Sequence, residues 1–194
     1  MNYRLVTGPA TEPLTYAEAK AYLRLNDDSE QSLVTSLISA ARGIVEGQTW
    51  RPLISQVWAA QLDFSEVNSS VIRINKAPVI SIDTVTYYDS NNALQTLSAS
   101  NWESDIYGSP ARFRLKTIPI CYERMNTLQV NFTAGYANAA AVPNDIKSAL
   151  YMIIGHLYEN RQDVVTGTQV NEIPMASKYL LEPYRNSLLS AYQN

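Results

Sequence analysis

Residues 130–163, VNFTAGYANAAAVPNDIKSALYMIIGHLYENRQD, decide the fold. They read as a strand, a Gly-Tyr turn, a small-residue loop, a proline, and then the most strongly apolar helix of the chain. Pro143 suits a first helical turn, where its missing N–H has no intrahelical partner to lose. Asn144 and Asp145 bring polar and negative side chains to the positive end of the helix dipole. Behind them Ile146, Ala149, Leu150, Ile153 and Leu157 recur at helical spacing. Tyr151, Ile154 and Tyr158 add a second stripe, so the apolar arc is wider than one amphipathic face requires. Such a helix packs on two sides. It is the centre of a core, or one of its faces meets another subunit.

Upstream of this stretch the apolar period is two. Trp58, Ala60, Leu62 and Phe64 fall on one face of a strand, and Val71–Ile74 is a short second strand stopped by Lys76-Ala77-Pro78. Residues 82–88 form a third, with Val85 and Tyr87 on one face. Asp89-Ser90-Asn91-Asn92 is a turn from which 93–97 returns as a hairpin partner. Residues 102–106 and 112–115, joined by Tyr107-Gly108-Ser109-Pro110, make another hairpin, and 127–133 closes a set of about seven strands. This spacing predicts a small antiparallel sandwich or barrel.

Further upstream the period is helical. Residues 1–14 read as an extended lead with Pro9 and Pro13. Thr15 and Glu18 form a capping box for a short helix carrying Ala19, Tyr22 and Leu23, which ends near Asn26. Asn26-Asp27-Asp28-Ser29 starts a second helix, capped by Asp28 with Gln31 or by Asp27 with Glu30. Leu33, Leu37, Ala40, Ala41 and Ile44 form one stripe and Val34, Ile38 and Val45 its neighbour; Gly47 and then Pro52 stop the helix. Downstream of the organising helix, 163–174 is a polar loop, 175–182 a short helix, and Pro183 interrupts it.

The expected fold is therefore α+β: a helical bundle domain with an inserted small antiparallel β domain. Residues 1–54 supply the N-terminal helical part, 55–133 the inserted β region, 134–185 the C-terminal helical part, and 186–194 a tail. At 194 residues the chain can bury a substantial core. Its net charge of −3 argues against nucleic-acid binding as the main business. The single Cys121 excludes an internal disulfide and a multi-cysteine zinc site. No secretory pattern opens the chain and no apolar run is long enough for a membrane span, so the expectation is a soluble protein made inside the cell.

Candidate chemistry is sparse. His156 and Glu159 share a helical face and could offer two metal ligands, but no second histidine and no HExxH pattern joins them. A core or interface histidine is the plainer account. There is no G-x-S-x-G elbow, and Cys121 could meet His156 only by tertiary accident. Glycine-rich phosphate loops are absent. Arg112, Arg114, Lys116 and Arg124, with Phe113 and Tyr122 nearby, could stack and neutralise nucleic acid. Alternation along a strand accounts for them more simply, with the arginines outward and Phe113 and Leu115 inward.

Four features together resemble the small head–tail connector (adaptor, or head-completion) proteins of tailed bacteriophages and related gene-transfer particles. They are Leu14-Thr15 through Glu18–Arg24 with the acidic Asn26-Asp27-Asp28 and its helix; Arg51-Pro52-Leu53-Ile54 entering the strand with Trp58; Val79–Tyr88 with Asp89 and then Trp102; and Phe132–Tyr136, Val142-Pro143, Asp145-Ile146-Lys147 and His156 through Tyr158–Arg161. The resemblance implies a structural virion protein without turnover, cofactor or metal. It would be made in the host bacterial cytoplasm and placed at the head–tail interface. It implies copies of the chain in a ring, commonly a dodecamer, between the portal protein and a tail or stopper protein. DNA would pass through the channel without specific binding, and no membrane is involved. On this basis Asp163, Val164, Val165, Thr166, Gln169 and Val170 are expected at the subunit interface, and Tyr184, Leu188, Leu189 and Tyr192 on the portal. The alternatives are a small enzyme or metal-binding virion protein built on His156 and carboxylates, and a nucleic-acid-binding module built on the 112–124 cluster.

Overall fold

A computed structural model describes residues 1–67, 71–161 and 175–185. In chain order the elements are β1 (Asn2–Thr7), α1 (Tyr16–Leu23), α2 (Gln31–Thr49), β2 (Gln56–Leu62), α3 (Phe64–Val67), β3 (Ile72–Ile74), β4 (Val79–Tyr88), β5 (Leu94–Thr96), β6 (Trp102–Asp105), β7 (Ala111–Leu115), β8 (Leu128–Ala134), α4 (Asn144–Glu159) and α5 (Met175–Leu181). The fold is α+β. The chain divides into two compact units, one of Met1–Ala10 with Ser55–Tyr136, the other of Thr11–Ile54 with the chain from Ala137 onward.

The first unit is made by alternation. In β8 Leu128, Val130, Phe132 and Ala134 are buried, while Gln129, Asn131 and Thr133 face outward. In β7 Ala111, Phe113 and Leu115 are buried and Arg112 and Arg114 exposed. β8 lies third in a five-stranded antiparallel sheet of order β1-β2-β8-β4-β5, and β7 is the middle strand of a second sheet, β3-β7-β6. The buried faces of both sheets contribute to one apolar core, with Ala60, Leu62, Ile72, Ile74 and Val85 among its members. The 89–92 turn is held by Asp89, whose Oδ1 accepts from the amides of Asn91 and Ala93 at 2.9 and 3.1 Å.

Two expectations for this unit need correction. Residues 2–7, read as part of an extended lead over 1–14 and grouped with the N-terminal helical part, form the edge strand β1 against β2. Tyr3 fastens them: its ring meets Phe132 edge-on at 6.2 Å, and its hydroxyl accepts from the Asn75 amide at 2.8 Å. Phe64 is not on the strand with Trp58. β2 stops at Leu62 because Glu66 Oε2 accepts from the Asp63 amide at 2.9 Å and closes a helical turn there.

The second unit is helical. α1 carries the expected capping box, with Thr15 Oγ1 accepting from the Glu18 amide at 3.2 Å and Glu18 Oε2 accepting from the Thr15 amide at 2.7 Å. α2 begins differently from expectation. Glu30 occupies its N-cap with no side-chain capping bond, since both aspartates are engaged elsewhere. Asp27 Oδ1 accepts from the Ser29 amide at 2.9 Å, and Asp28 Oδ1 accepts from the Tyr16 hydroxyl at 2.8 Å and Lys20 Nζ at 2.7 Å. Nor does Gly47 stop α2, which runs to Thr49 and ends at Trp50 with φ 58°. Its buried line is Val34, Ile38, Ala41, Val45 and Thr49; Leu33, Leu37 and Ile44 are half-buried and Ala40 is exposed.

α4 is the centre of this unit, packed on α1, α2 and α5. Ile146, Ala149, Leu150, Ile153 and Ile154 are buried and Leu157 half-buried. The second stripe is filled from within the unit: Tyr151 stacks on Tyr22 at 5.1 Å between ring centroids. The doubled apolar arc is thus explained by the chain's own helices. After α5 a 3-10 turn, Glu182–Tyr184, follows with Pro183 inside it. No helix among the described residues is long and apolar enough to cross a membrane.

Candidate interaction surfaces

The side chains that could carry chemistry are each accounted for locally. His156 is half-buried on α4 with its Nδ1 3.3 Å from Asn160 Nδ2, and Glu159 is exposed. Among the described residues no three His, Cys, Asp or Glu side chains converge to hold a metal. His156 instead lines an open groove of about 590 Å³ with Tyr22, Met152, Gly155 and Tyr158. His156→Gln should therefore lower stability by no more than about 1–2 kcal/mol and leave particle assembly intact. Counting finished particles against wild type checks this; a folded variant that assembles but fails at a chemical step would contradict it.

Cys121 is half-buried, and burial pushes its thiol pKa up, away from nucleophilic reactivity. The basic cluster is largely self-neutralised. Across the β6–β7 ladder Asp105 faces Arg112 and Glu103 faces Arg114. Arg112 Nε donates to Asp105 Oδ2 at 3.2 Å, and Arg114 pairs with Glu103. Hydrogen bonding from Arg112 holds the Asp105 carboxyl below its ordinary range. Arg124 lies over the Tyr88 ring at 3.9 Å and donates to Asn92 Oδ1 at 3.0 Å. Phe113 is buried, so it cannot stack a base. This is an ion-paired strand surface.

At the C-terminal end of α4 a polar knot ties that helix to the start of α2. Glu30 accepts from the Tyr158 hydroxyl and from Arg161, the latter at 2.7 Å, and Arg161 also lies over the Tyr158 ring at 4.6 Å. The bond from Tyr158, then the one from Arg161, lowers the Glu30 pKa. A carboxyl with a lowered folded pKa adds stability above its unfolded pKa, about 4.3, and loses it as pH falls through the folded value. Glu30→Gln should thus flatten the fall in melting temperature below about pH 4.3 and change little at pH 2. Melting curves across pH 2–7 for both proteins read this out; an unchanged acid limb would count against the knot.

Of the residues expected at the subunit interface, Asp163, Val164, Val165, Thr166, Gln169 and Val170 all lie outside the described residues. So do Leu188, Leu189 and Tyr192 of the expected portal-binding set. Tyr184 is described, and it is anchored to its own unit: its carbonyl accepts from Arg51 Nε and its hydroxyl donates to Asp145 Oδ2 at 3.2 Å.

Sequence reading missed one surface. The loop between β7 and β8 exposes Ile118, Ile120, Tyr122 and Met125, with Ile120 81% and Met125 78% accessible. The loop is not slack. Tyr122 N donates to Tyr88 O at 2.9 Å, Thr127 Oγ1 donates to Tyr122 O at 2.7 Å, and Asn126 N donates to Asp63 Oδ1 at 2.7 Å. These apolar side chains are held out on an anchored loop and form a candidate contact surface.

Comparison with known proteins places this architecture. The model of the head completion protein family matches residues 12–187, which spans both units. No curated protein matches the chain. Among solved structures, a chain in the neck of an empty gene transfer agent particle computed with C6 symmetry superposes with a TM-score of 0.77, 24% identity and 96% coverage of each chain. A chain of the native gene transfer agent virion gives 0.74, 24% and 96% of each chain. A chain in the native neck computed with C12 symmetry gives 0.71, 22% and 96% of each chain. The chain belongs to the head completion protein family, a family of structural virion proteins of the head–tail connection.

Proposed function

We propose that the chain is a ring-forming connector subunit between the portal and the tail or stopper, acting by assembly and not by catalysis. The family match across residues 12–187 carries this reading. The similar chains come from necks computed with C6 and C12 symmetry, which fits a cyclic array of copies. In such a ring the helical unit, centred on α4, is the framework, with Ser55–Tyr136 of the sheet unit an insertion in its sequence. The 163–170 stretch reaches a neighbouring copy, and the C-terminal segment from Tyr184 through Leu188, Leu189 and Tyr192 engages the portal.

DNA passes through the channel without specific binding. A net charge of −3 and the mutual neutralisation of Arg112 and Arg114 by Asp105 and Glu103 support this, because a strongly basic lumen would retain the phosphate backbone. Electron microscopy of the protein mixed with its cognate portal tests the assignment. A closed ring seated on the portal is expected; a chain that stays monomeric on portals and is absent from particle necks would overturn it.

A further inference from the structure

Identical subunits close into a ring only if two different surfaces of each copy match, so that the contact repeats head to tail. The first unit offers such a pair on one sheet. In the order β1-β2-β8-β4-β5, β1 and β5 are the two edges, and among the described residues neither has a further strand beyond it. Both edges expose apolar side chains: Leu5 is 46% and Val6 50% accessible on β1, and Leu94 is 61% accessible on β5.

An open edge presents unpaired backbone donors and acceptors, and soluble proteins usually guard it with lysine, proline or an inward charge. β1, Asn-Tyr-Arg-Leu-Val-Thr, has no lysine, no proline and no acidic residue. Its guards are the single charge of Arg4 and an irregular register between Leu5 and Thr7. β5 is short, but its outward groups can be assigned. Asp89 N donates to Ala93 O at 2.9 Å and Leu97 N to Val85 O at 2.8 Å. Bonding in an antiparallel pair alternates, so Leu94 and Thr96 turn their N–H and C=O away from β4.

We propose that the β1 edge of one copy pairs with the β5 edge of the next, joining the five-stranded sheets of neighbouring copies around the ring. The inference rests on the ring reading above and names a contact within it. A second copy is the occupant the geometry favours. The two open edges lie on opposite sides of one sheet and cannot meet within a chain. Their pairing is therefore heterologous and propagates, as a cyclic array requires. Pairing through one edge alone would be isologous and would stop at a dimer.

The test uses the full chain with Cys121→Ser, adding Leu5→Cys and Gln95→Cys singly and together, and a short bismaleimide applied to assembled particles. The double variant should give a ladder extending beyond the dimer, and each single variant only monomer. Thr96→Pro removes one outward N–H without touching the β4 pairing, and should reduce ring occupancy on portals at least about tenfold while circular dichroism stays native. Rings that form normally with no ladder and with Thr96→Pro at full occupancy would overturn the edge contact while leaving the ring reading intact. A dimer from Leu5→Cys alone would show an isologous contact and also overturn it. Absence of any ring with the Cys121→Ser parent and the wild type would remove both readings together.

Discussion

Replacing Phe132 with alanine lowers the unfolding free energy by about 3–5 kcal/mol. Phe132 is fully buried in β8, the middle strand of the five-stranded sheet, opposite Trp58 on β2 and Ile82 on β4. Tyr3 of β1 meets its ring edge-on at 6.2 Å. Removing the ring thus opens a cavity under three strands and strips β1 of its aromatic contact. Close packing leaves the neighbours little room to collapse into such a gap, so a cavity cost adds to the lost transfer energy. Set against a total stability of about 5–15 kcal/mol, the loss is large. Urea unfolding followed by tryptophan fluorescence measures it, with Trp58 as a reporter beside the site. Ile153→Ala in the core of α4 gives a companion loss of about 2–5 kcal/mol and shows whether both units unfold in one transition. A Phe132→Ala loss below about 1 kcal/mol would mean that the two sheets do not share the packed core described.

Where a residue's environment is one-sided, its place was legible in the sequence. The strict alternation of Arg112, Phe113, Arg114 and Leu115 gave β7, and the Asp89–Asn92 composition gave the β4–β5 turn. Thr15 and Glu18 gave the α1 cap, because a capping box is a contact between residues three apart. What failed depends on distant partners. β1 is exposed at every residue except Tyr3, so it shows no period, and its place in the sheet depends on distant partners: β2 beside it, and Phe132 and Asn75 on Tyr3. The α2 cap failed because Asp28 is drawn to Tyr16 and Lys20 of the preceding helix. The exposed Ile118, Ile120 and Met125 follow no helical or strand period, so the sequence did not single them out. Function followed the same rule. Residue chemistry alone stopped short of a role. The likeness of fold-defining positions to a family carried it further.

Deleting Asn186–Asn194 leaves the melting temperature nearly unchanged and abolishes attachment to portal-bearing heads. The described part of the helical unit ends at Arg185, before these residues. Leu181 is buried, the Tyr184 carbonyl accepts from Arg51, and the Tyr184 hydroxyl donates to Asp145, so these anchors among the described residues precede the cut. The nine deleted residues bring only Leu188, Leu189 and Tyr192 as sizeable apolar groups. Ordering backbone costs about 1–2 kcal/mol per residue, which three such side chains on the chain's own surface would barely offset. A groove on a partner changes the balance. Leu188 and Tyr192 are four apart in sequence, the spacing at which a helix formed on a partner would place both on one face, as in short amphipathic segments that anchor in apolar grooves. The ordering cost is then met once, on binding, and the anchors are desolvated where they add affinity. Leu188→Asp and Tyr192→Ala should each weaken portal binding by about tenfold or more without moving the melting temperature. Sedimentation of the truncated chain with portal-bearing heads reads the result directly. Normal attachment would end the assignment of the portal contact to this segment, and a fall of many degrees in melting temperature would show that the segment packs on its own unit instead.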